Sequence, residues 1–289
     1  MEYRIVDLHC HSTASDGTVR AEDLALLAKD AGLSALALTD HDTLDGLAAF
    51  QKAGEKIGLE TIPGIEFAAW VNQPQGVEIH IVGLGFDPAA PIWREVINTI
   101  VSSREERNLA MIQRAKQLGL DLSLEDVANE AGGKIITRAH YANVLRKKGY
   151  VRTKEEACAK YLGAQGAIYV PRKYMSPASA ISTIHETGGA AILAHPTLYG
   201  LNLAQLEEML EKELLPYGLD GMECKYSTYT VPEEKSMTAL AEKYHLLPSG
   251  GSDFHGANKP DIALGRGFGS LRIPYAFWEN LKARTSFKQ

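Results

Sequence analysis

The sequence has few cysteines, no excess of basic residues and no long apolar run. Its three cysteines, Cys10, Cys158 and Cys224, are widely spaced and do not make a disulfide framework. Lysine and arginine number 30 against 36 aspartates and glutamates, and the net charge is −6. This charge argues against an extended basic surface that binds duplex DNA, although a short nucleotide could still bind locally. No apolar run reaches the roughly 18 residues that a membrane helix needs, so we expect no membrane partner.

The N-terminal residues lead directly into a predicted strand at Ile5 and Val6 and show no secretory signal pattern. Together with the cysteine usage, this predicts a cytoplasmic protein. The chain has 289 residues and a hydrophobic content of 45%, which suit a large α/β domain or a barrel with an insertion. Nothing in the sequence indicates an oligomeric state.

Strands and helices alternate in the first 85 residues, a rhythm typical of a mainly parallel sheet or barrel. The pattern predicts strands at residues 3–9, 34–39, 59–67 and 77–85, with helices at 20–31 and 44–57. The rhythm resumes with predicted strands at 189–195, 219–224 and 246–249, and predicted helices at 203–213, 232–244 and 274–284. Seven strands favour a closed or distorted barrel.

Between the two strand-rich parts, residues 88–187 show only helical patterns. The longest predicted helix covers 93–118, and shorter ones are predicted at 123–131, 138–148 and 153–162. We therefore expect residues 88–187 to form a helical insertion subdomain that caps the substrate site, with residues 1–87 and 188–289 forming the barrel.

Histidines and carboxylates follow the predicted strands, at the end of a β/α barrel where the βα loops converge. Alternate side chains of a strand share a face, which pairs His9 with His11 and Asp253 with His255. The candidate metal ligands are His9, His11, Asp16, His41, Glu66, His80, His195, Asp253 and His255. Mixed imidazole and carboxylate ligands suit Mn, Fe or Zn better than Ca. Nine are too many for one ion, so we expect two or three divalent ions, manganese first, with Glu66 as a bridge.

Asp7 shares the strand parity of His9 and His11. We therefore expect the Asp7 carboxylate to orient a histidine ring rather than to bind metal.

The motifs around these residues resemble those of the polymerase and histidinol phosphatase (PHP) family of metal-dependent phosphoesterases. The matching segments are Asp7-Leu8-His9-Cys10-His11-Ser12, Thr39-Asp40-His41-Asp42, Gly64-Ile65-Glu66, His80, Ala194-His195-Pro196 and Gly251-Ser252-Asp253-Phe254-His255. The resemblance implies an α/β fold, a distorted (β/α)7 TIM-like barrel.

The resemblance also implies the grouping of the ligands around three metals. The first ion would take His9, His11, Glu66 and Asp253; the second Glu66, His80 and His195; the third Asp16, His41 and His255. We also expect all of these residues except His80 to take part in catalysis.

The helical insertion resembles that of a subgroup that removes the 3′-phosphate from nucleoside 3′,5′-bisphosphates; some members also degrade short RNA from the 5′ end. The likeness rests on Thr137-Arg138-Ala139-His140, where a helix N-terminus, an arginine fork and an imidazole suit a phosphate. The candidate substrate-binding residues are Arg138, His140, Arg172 and Lys173.

The expected function is therefore hydrolysis of a nucleoside 3′,5′-bisphosphate to a 5′-nucleotide and phosphate. Three alternatives stay open: a 5′→3′ exoribonuclease on short RNA, a histidinol-phosphate phosphatase, and a non-catalytic metal-binding module. The helical insertion argues against histidinol phosphate as the substrate, and the full set of candidate ligands argues against a module without activity.

Overall fold

One eight-stranded sheet curls into a nearly closed barrel in the described part of the chain, residues 4–133 and 135–287 of a computed structural model. The strands are β1 (Ile5–Asp7), β2 (Ala35–Leu38), β3 (Glu60–Val71), β4 (Val77–Leu84), β5 (Ala190–Leu193), β6 (Gly221–Tyr226), β7 (Leu247–Gly251) and β8 (Ile273–Pro274). Residue 3, where the sequence pattern begins the first strand, lies outside the described residues. The predicted α/β barrel is confirmed.

Hydrogen bonds between the residues that follow β1 and the end of β7 bring the sheet close to a ring. The strand order is β7-β6-β5-β4-β3-β2-β1-β8. The Leu8 amide donates to the Gly250 carbonyl at 3.2 Å, and the Asp253 amide donates to the His9 carbonyl at 2.8 Å. Seven strands were predicted; the eighth, β8, pairs antiparallel with β1 and is only two residues long. Two residues are too few to produce a recognisable alternation.

The expectation of a mainly parallel barrel is wrong around β4, which runs antiparallel to both β3 and β5. Residues 72–76 alone join β3 to β4. Five residues can close a hairpin but cannot hold the crossover that a parallel pair needs. Because of this reversal, β4 brings its N-terminal half, with His80, to the end of the barrel where the other strands finish.

Helices cover the outer face of the sheet. They include α1 (Ala21–Asp30), α2 (Leu47–Ile57), α7 (Pro177–Glu186), α8 (Leu203–Met209) and α9 (Val231–Lys243). Alternate strand residues divide between two apolar clusters: Leu193 packs with the helices, whereas Ile192 joins Val6 and Ile62 on the opposite face. Trp278 of α10 (Tyr275–Lys282) packs against this second cluster.

The predicted helical insertion contains α3 (Ile92–Gln117), α4 (Leu124–Ala131), α5 (Arg138–Lys147) and α6 (Lys154–Ala157). A separate apolar cluster, running from Met111 to Ile168, joins these helices. The first half of α3 and all of α7 pack instead on the barrel, through residues such as Trp93 and Ile181. In the described ranges, no helix is long and apolar enough to cross a membrane.

Candidate metal centre

The nine predicted ligands come from six places around one end of the barrel. His9 and His11 follow β1, Asp16 lies in the loop after them, His41 follows β2, His195 follows β5, and Asp253 and His255 follow β7. Two placements differ from the expectation that every ligand sits at the end of its strand. Glu66 lies in the middle of β3, because this strand continues to Val71, and His80 lies in the first half of the reversed β4.

The structure brings all nine side chains together. Their ligand atoms form four overlapping groups, each within 4.8 Å: His11, Asp16, His41 and His255; His9, His11 and Asp253; His9, Glu66 and His195; and His41, Glu66 and His80. The overlap makes one continuous cluster, which we call the nine-residue cluster.

The Glu66 carboxylate lies at the centre of the nine-residue cluster and is 1% exposed. Its Oε1 lies 2.7 Å from His80 Nδ1 and 3.0 Å from His195 Nε2, and its Oε2 lies 3.0 Å from His41 Nδ1. Burial raises the pKa of this carboxyl, but the surrounding histidines outweigh burial and hold the pKa well below its usual range. Glu66 is therefore a buried anion with imidazole nitrogens on several sides, the arrangement expected of a carboxylate that bridges cations.

The chemistry of the donor atoms fits divalent cations. His9 Nε2 and His11 Nε2 face each other at 3.1 Å, and the Asp253 Oδ1 atom lies 3.3 Å from His11 Nε2. Within the described residues, the buried Nδ1 of His195 has no hydrogen-bond partner. Six imidazoles and three carboxylates at this density supply the nitrogen and oxygen ligands that transition-metal ions prefer.

Glu223 of β6 contacts two histidines of the cluster, and it was not among the residues predicted from the sequence. Its Oε1 atom lies 2.8 Å from His9 Nδ1, and its Oε2 atom accepts the His195 backbone N–H at 2.6 Å. A carboxylate on the outer nitrogen of a metal-binding histidine fixes the tautomer and orientation of the ring. The signal was present, because Glu223 stands inside an apolar strand where an unpaired acid would be costly.

The role expected of Asp7 is therefore wrong. Its carboxylate accepts the backbone N–H groups of His9 at 3.2 Å, Ser252 at 2.8 Å and Gly265 at 2.8 Å. The strand β1 ends at Asp7, so the alternation of faces that led to the prediction does not have to continue from Asp7 to His9. Asp7 therefore binds backbone groups where β1 meets the loop after β7, whereas Glu223 orients the His9 ring.

We expect Glu223→Ala to weaken divalent metal binding by about 10- to 100-fold, because His9 loses the carboxylate that orients its ring. A competition titration against a chromophoric chelator measures this affinity. Glu234→Ala is the matched control, since the one ion pair of Glu234 among the described residues is with Lys225, away from the metal cluster. Unchanged metal affinity in Glu223→Ala would show that Glu223 does not support the metal site.

A small cavity of about 130 Å³ adjoins the nine-residue cluster. Asp16, His41 and His80 line the side of the cavity that faces the cluster. Four arginines are among the other lining residues: Arg104, Arg107, Arg138 and Arg172. We call this space the arginine cavity. Guanidinium groups at this density have the hydrogen-bond donors and the charge that suit an anionic ligand.

Two carboxylates hold three of the four arginines. Arg104 Nε and Arg172 Nη1 each donate to Asp42 Oδ2 at 3.0 Å. Arg138 Nη2 donates to Glu78 Oε2 at 2.8 Å. Both carboxylates lie beside metal-cluster residues, because Asp42 follows His41 and Glu78 is two residues from His80.

Arg107 is different, because it contacts no carboxylate in the described part of the chain. It is 7% exposed, its Nη2 donates to the Ile136 carbonyl at 2.9 Å, and its Nε has no partner among the described residues. Burial and the neighbouring charges of Arg104 and Arg172 lower its pKa to about 9. A buried cation with an unused donor is energetically costly unless an anion completes its surroundings.

The four residues expected to contact phosphate lie in different places. Arg138 and Arg172 line the arginine cavity. His140 is buried at the start of α5, where its Nδ1 accepts the Thr137 backbone N–H at 3.1 Å, and burial lowers its pKa. Lys173 lines a neighbouring surface groove along α3, outside the cavity.

The sequence analysis missed Arg104 and Arg107, and helix periodicity could have located them. They follow Ile100 by four and seven residues and precede Met111 by seven and four, which continues the buried stripe of α3. Two arginines in an apolar stripe predict either a buried ion pair or an anion site.

The comparison with known proteins identifies the family. The model of the PHP domain matches residues 7–161. The chain belongs to the PHP family. A 5′-3′ exoribonuclease of Haemophilus influenzae is 34% identical over 86% of this chain and 89% of its own length. A 3′,5′-nucleoside bisphosphate phosphatase of Chromobacterium violaceum is 30% identical over 96% of this chain and 97% of its own length.

A solved structure has the same fold. The structure of an amidohydrolase from Chromobacterium violaceum, with bound sulfate and no metal, superposes with a TM-score of 0.85 and 28% identity, covering 96% of each chain. Family membership, the nine-residue cluster and these relatives together make the protein a metal-dependent phosphoesterase, a hydrolase that acts on ester bonds.

Proposed function

We propose that this PHP phosphoesterase cleaves the bond between phosphorus and the 3′-oxygen of a nucleotide that carries a 5′-phosphate. The first substrate is a nucleoside 3′,5′-bisphosphate, which yields a 5′-nucleotide and inorganic phosphate. The observation that carries this proposal is the arginine cavity beside the nine-residue cluster, where buried Arg107 has no carboxylate partner among the described residues.

Two adjacent anion sites suit a substrate with two phosphates. The reacting phosphate would lie at the nine-residue cluster, and the second phosphate would lie in the arginine cavity. An arginine fork can donate two parallel hydrogen bonds to phosphate oxygens, which fixes orientation as well as charge. Asp42 and Glu78 hold Arg104 and Arg138 in position before substrate arrives, so little side-chain freedom is lost on binding.

The nine residues of the cluster would hold two or three divalent cations, with manganese as the first choice and iron or zinc as alternatives. When bound, such cations stabilise the negative charge that develops on the phosphoryl oxygens. Glu66 would contact more than one ion, and Glu223 would keep the His9 ring in the orientation that binding requires.

A 5′→3′ exoribonuclease is the second candidate, because relatives at 34% and 35% identity carry that name. Release of a 5′-nucleotide from the 5′ end of RNA breaks the same bond, between phosphorus and the 3′-oxygen. The same arginine cavity would then hold the 5′-phosphate of the first nucleotide. The two candidates differ only in whether the reacting phosphate carries another nucleotide.

The test is release of inorganic phosphate from adenosine 3′,5′-bisphosphate by manganese-loaded enzyme, with the nucleotide product identified. We expect 5′-AMP as the product, and much weaker hydrolysis of 3′-AMP, which leaves the arginine cavity empty. A short 5′-phosphorylated RNA is assayed in parallel by release of its 5′-nucleotide. Histidinol phosphate is assayed by release of inorganic phosphate. Faster turnover of RNA would favour the exoribonuclease, and turnover of histidinol phosphate alone would overturn the proposal.

A further inference from the structure

A stacked pair of aromatic side chains stands at the outer edge of the arginine cavity. The rings of Trp70 and Tyr174 are stacked, with centroids 5.7 Å apart and planes inclined by 25°. Tyr174 lines the cavity, and its hydroxyl donates to Glu78 at 2.9 Å. We call Trp70 and Tyr174 the aromatic ledge. Neither residue figured in the sequence analysis.

Strand geometry places the aromatic ledge on the path leading out of the metal centre. Glu66, Ala68 and Trp70 are alternate residues of β3 and share one face of the strand. Glu66 is at the centre of the nine-residue cluster, and Ala68 lines the arginine cavity. At about 3.3 Å per residue, Trp70 stands about 7 Å beyond Ala68.

The Trp70 ring is fixed in place yet open to solvent. A side chain at Gly76 would come within 2.7 Å of Trp70 Cζ2, so the hairpin backbone packs closely against the indole. The Trp70 amide donates to the Met175 carbonyl at 3.1 Å and fastens the segment that carries Tyr174. Even so, Trp70 is 37% exposed, whereas Trp93 and Trp278 are 4% and 0% exposed. A rigid, partly exposed indole beside a polar cavity has apolar surface available for a ligand.

We propose that the aromatic ledge is the binding site for the nucleobase, in an inference that rests on the proposed function. With one phosphate at the nine-residue cluster and the other in the arginine cavity, the base of a bisphosphonucleotide extends outward toward Trp70. Stacking on an aromatic face is tolerant of base identity, because every base presents a π-face. The ledge therefore selects nucleotides over phosphorylated sugars and amino alcohols without selecting one base.

The test compares two substrates that differ only in the base: deoxyadenosine 3′,5′-bisphosphate and its abasic analogue, deoxyribose 3′,5′-bisphosphate. We expect Trp70→Ala to raise KM for the nucleotide about 10-fold with little change in kcat, as loss of one stacked base implies. KM for the abasic analogue stays the same. Trp70→Phe, which keeps a ring, stays close to the parent enzyme. Tyr217→Ala removes an exposed aromatic that precedes β6 and changes neither KM.

Acrylamide quenching of tryptophan fluorescence gives a second readout that needs no turnover. Trp70 is the exposed one of the three tryptophans, so it dominates the quenching. We expect the nucleotide to protect this fluorescence and the abasic analogue not to. Equal effects of Trp70→Ala on both substrates, or equal protection by both, would overturn the base site. Protection by the nucleotide alone, in a protein that hydrolyses neither, would support the base site while rejecting the proposed function.

Discussion

Glu66→Gln is expected to reduce phosphoester hydrolysis at least about 1000-fold, the largest effect of any single substitution in this protein. Glutamine keeps the shape of the side chain and removes its charge. The Glu66 oxygens lie within 3.4 Å of nitrogens from five histidines: His9, His11, His41, His80 and His195. No other carboxylate in the described ranges occupies such a position, so we expect the loss of at least one metal ion per chain.

Metal content by mass spectrometry, measured alongside turnover, checks this expectation. Glu55→Gln is the control, since Glu55 is an exposed residue of α2. A Glu66→Gln enzyme with full metal content and parental turnover would remove Glu66 from the metal centre. Reduced turnover with full metal content would leave Glu66 a role in catalysis but not in holding the ions.

Arg107→Met is expected to lower kcat/KM for adenosine 3′,5′-bisphosphate about 100-fold while changing kcat/KM for 3′-AMP less than about threefold. The reason is that loss of a buried, charged contact to phosphate costs about 2–5 kcal/mol. The singly phosphorylated 3′-AMP does not use this contact. Arg94→Met is the matched control, because Arg94 is exposed on the same helix, α3.

The stability of the free protein separates a binding role from a structural one. Arg107 is buried without a carboxylate partner among the described residues, so methionine removes an uncompensated charge. We expect the melting temperature of Arg107→Met without substrate to equal or exceed that of the parent. A lower melting temperature with equal losses on both substrates would instead make Arg107 a structural residue.

The sequence predicted the α/β barrel and the location of the nine residues because both depend on local patterns. His9 and His11 lie two residues apart directly after β1, and their Nε2 atoms lie 3.1 Å from each other. The longest helix was equally visible, since the predicted helix at 93–118 is α3 (Ile92–Gln117).

Contacts between residues that are far apart in the sequence could not be predicted in this way. The direction of β4 depends on a five-residue connection rather than on the strand itself. Glu223 meets His9 across 214 positions of sequence, and Arg104 meets Asp42 across 62. Local periodicity indicates which face of an element is buried, but not which side chain it meets. Arg107 and Trp70 gain their proposed roles only from the neighbours that the fold gives them.

We infer that the nine-residue cluster holds the cations on which phosphoester hydrolysis depends. Metal-free protein is titrated with Mn²⁺, and bound metal and phosphate release from adenosine 3′,5′-bisphosphate are measured on the same samples. We expect no release without metal, and release that rises as two or more ions bind per chain. Full phosphate release from metal-free protein, or no release from protein carrying two or more ions, would show that hydrolysis does not depend on cations in this cluster.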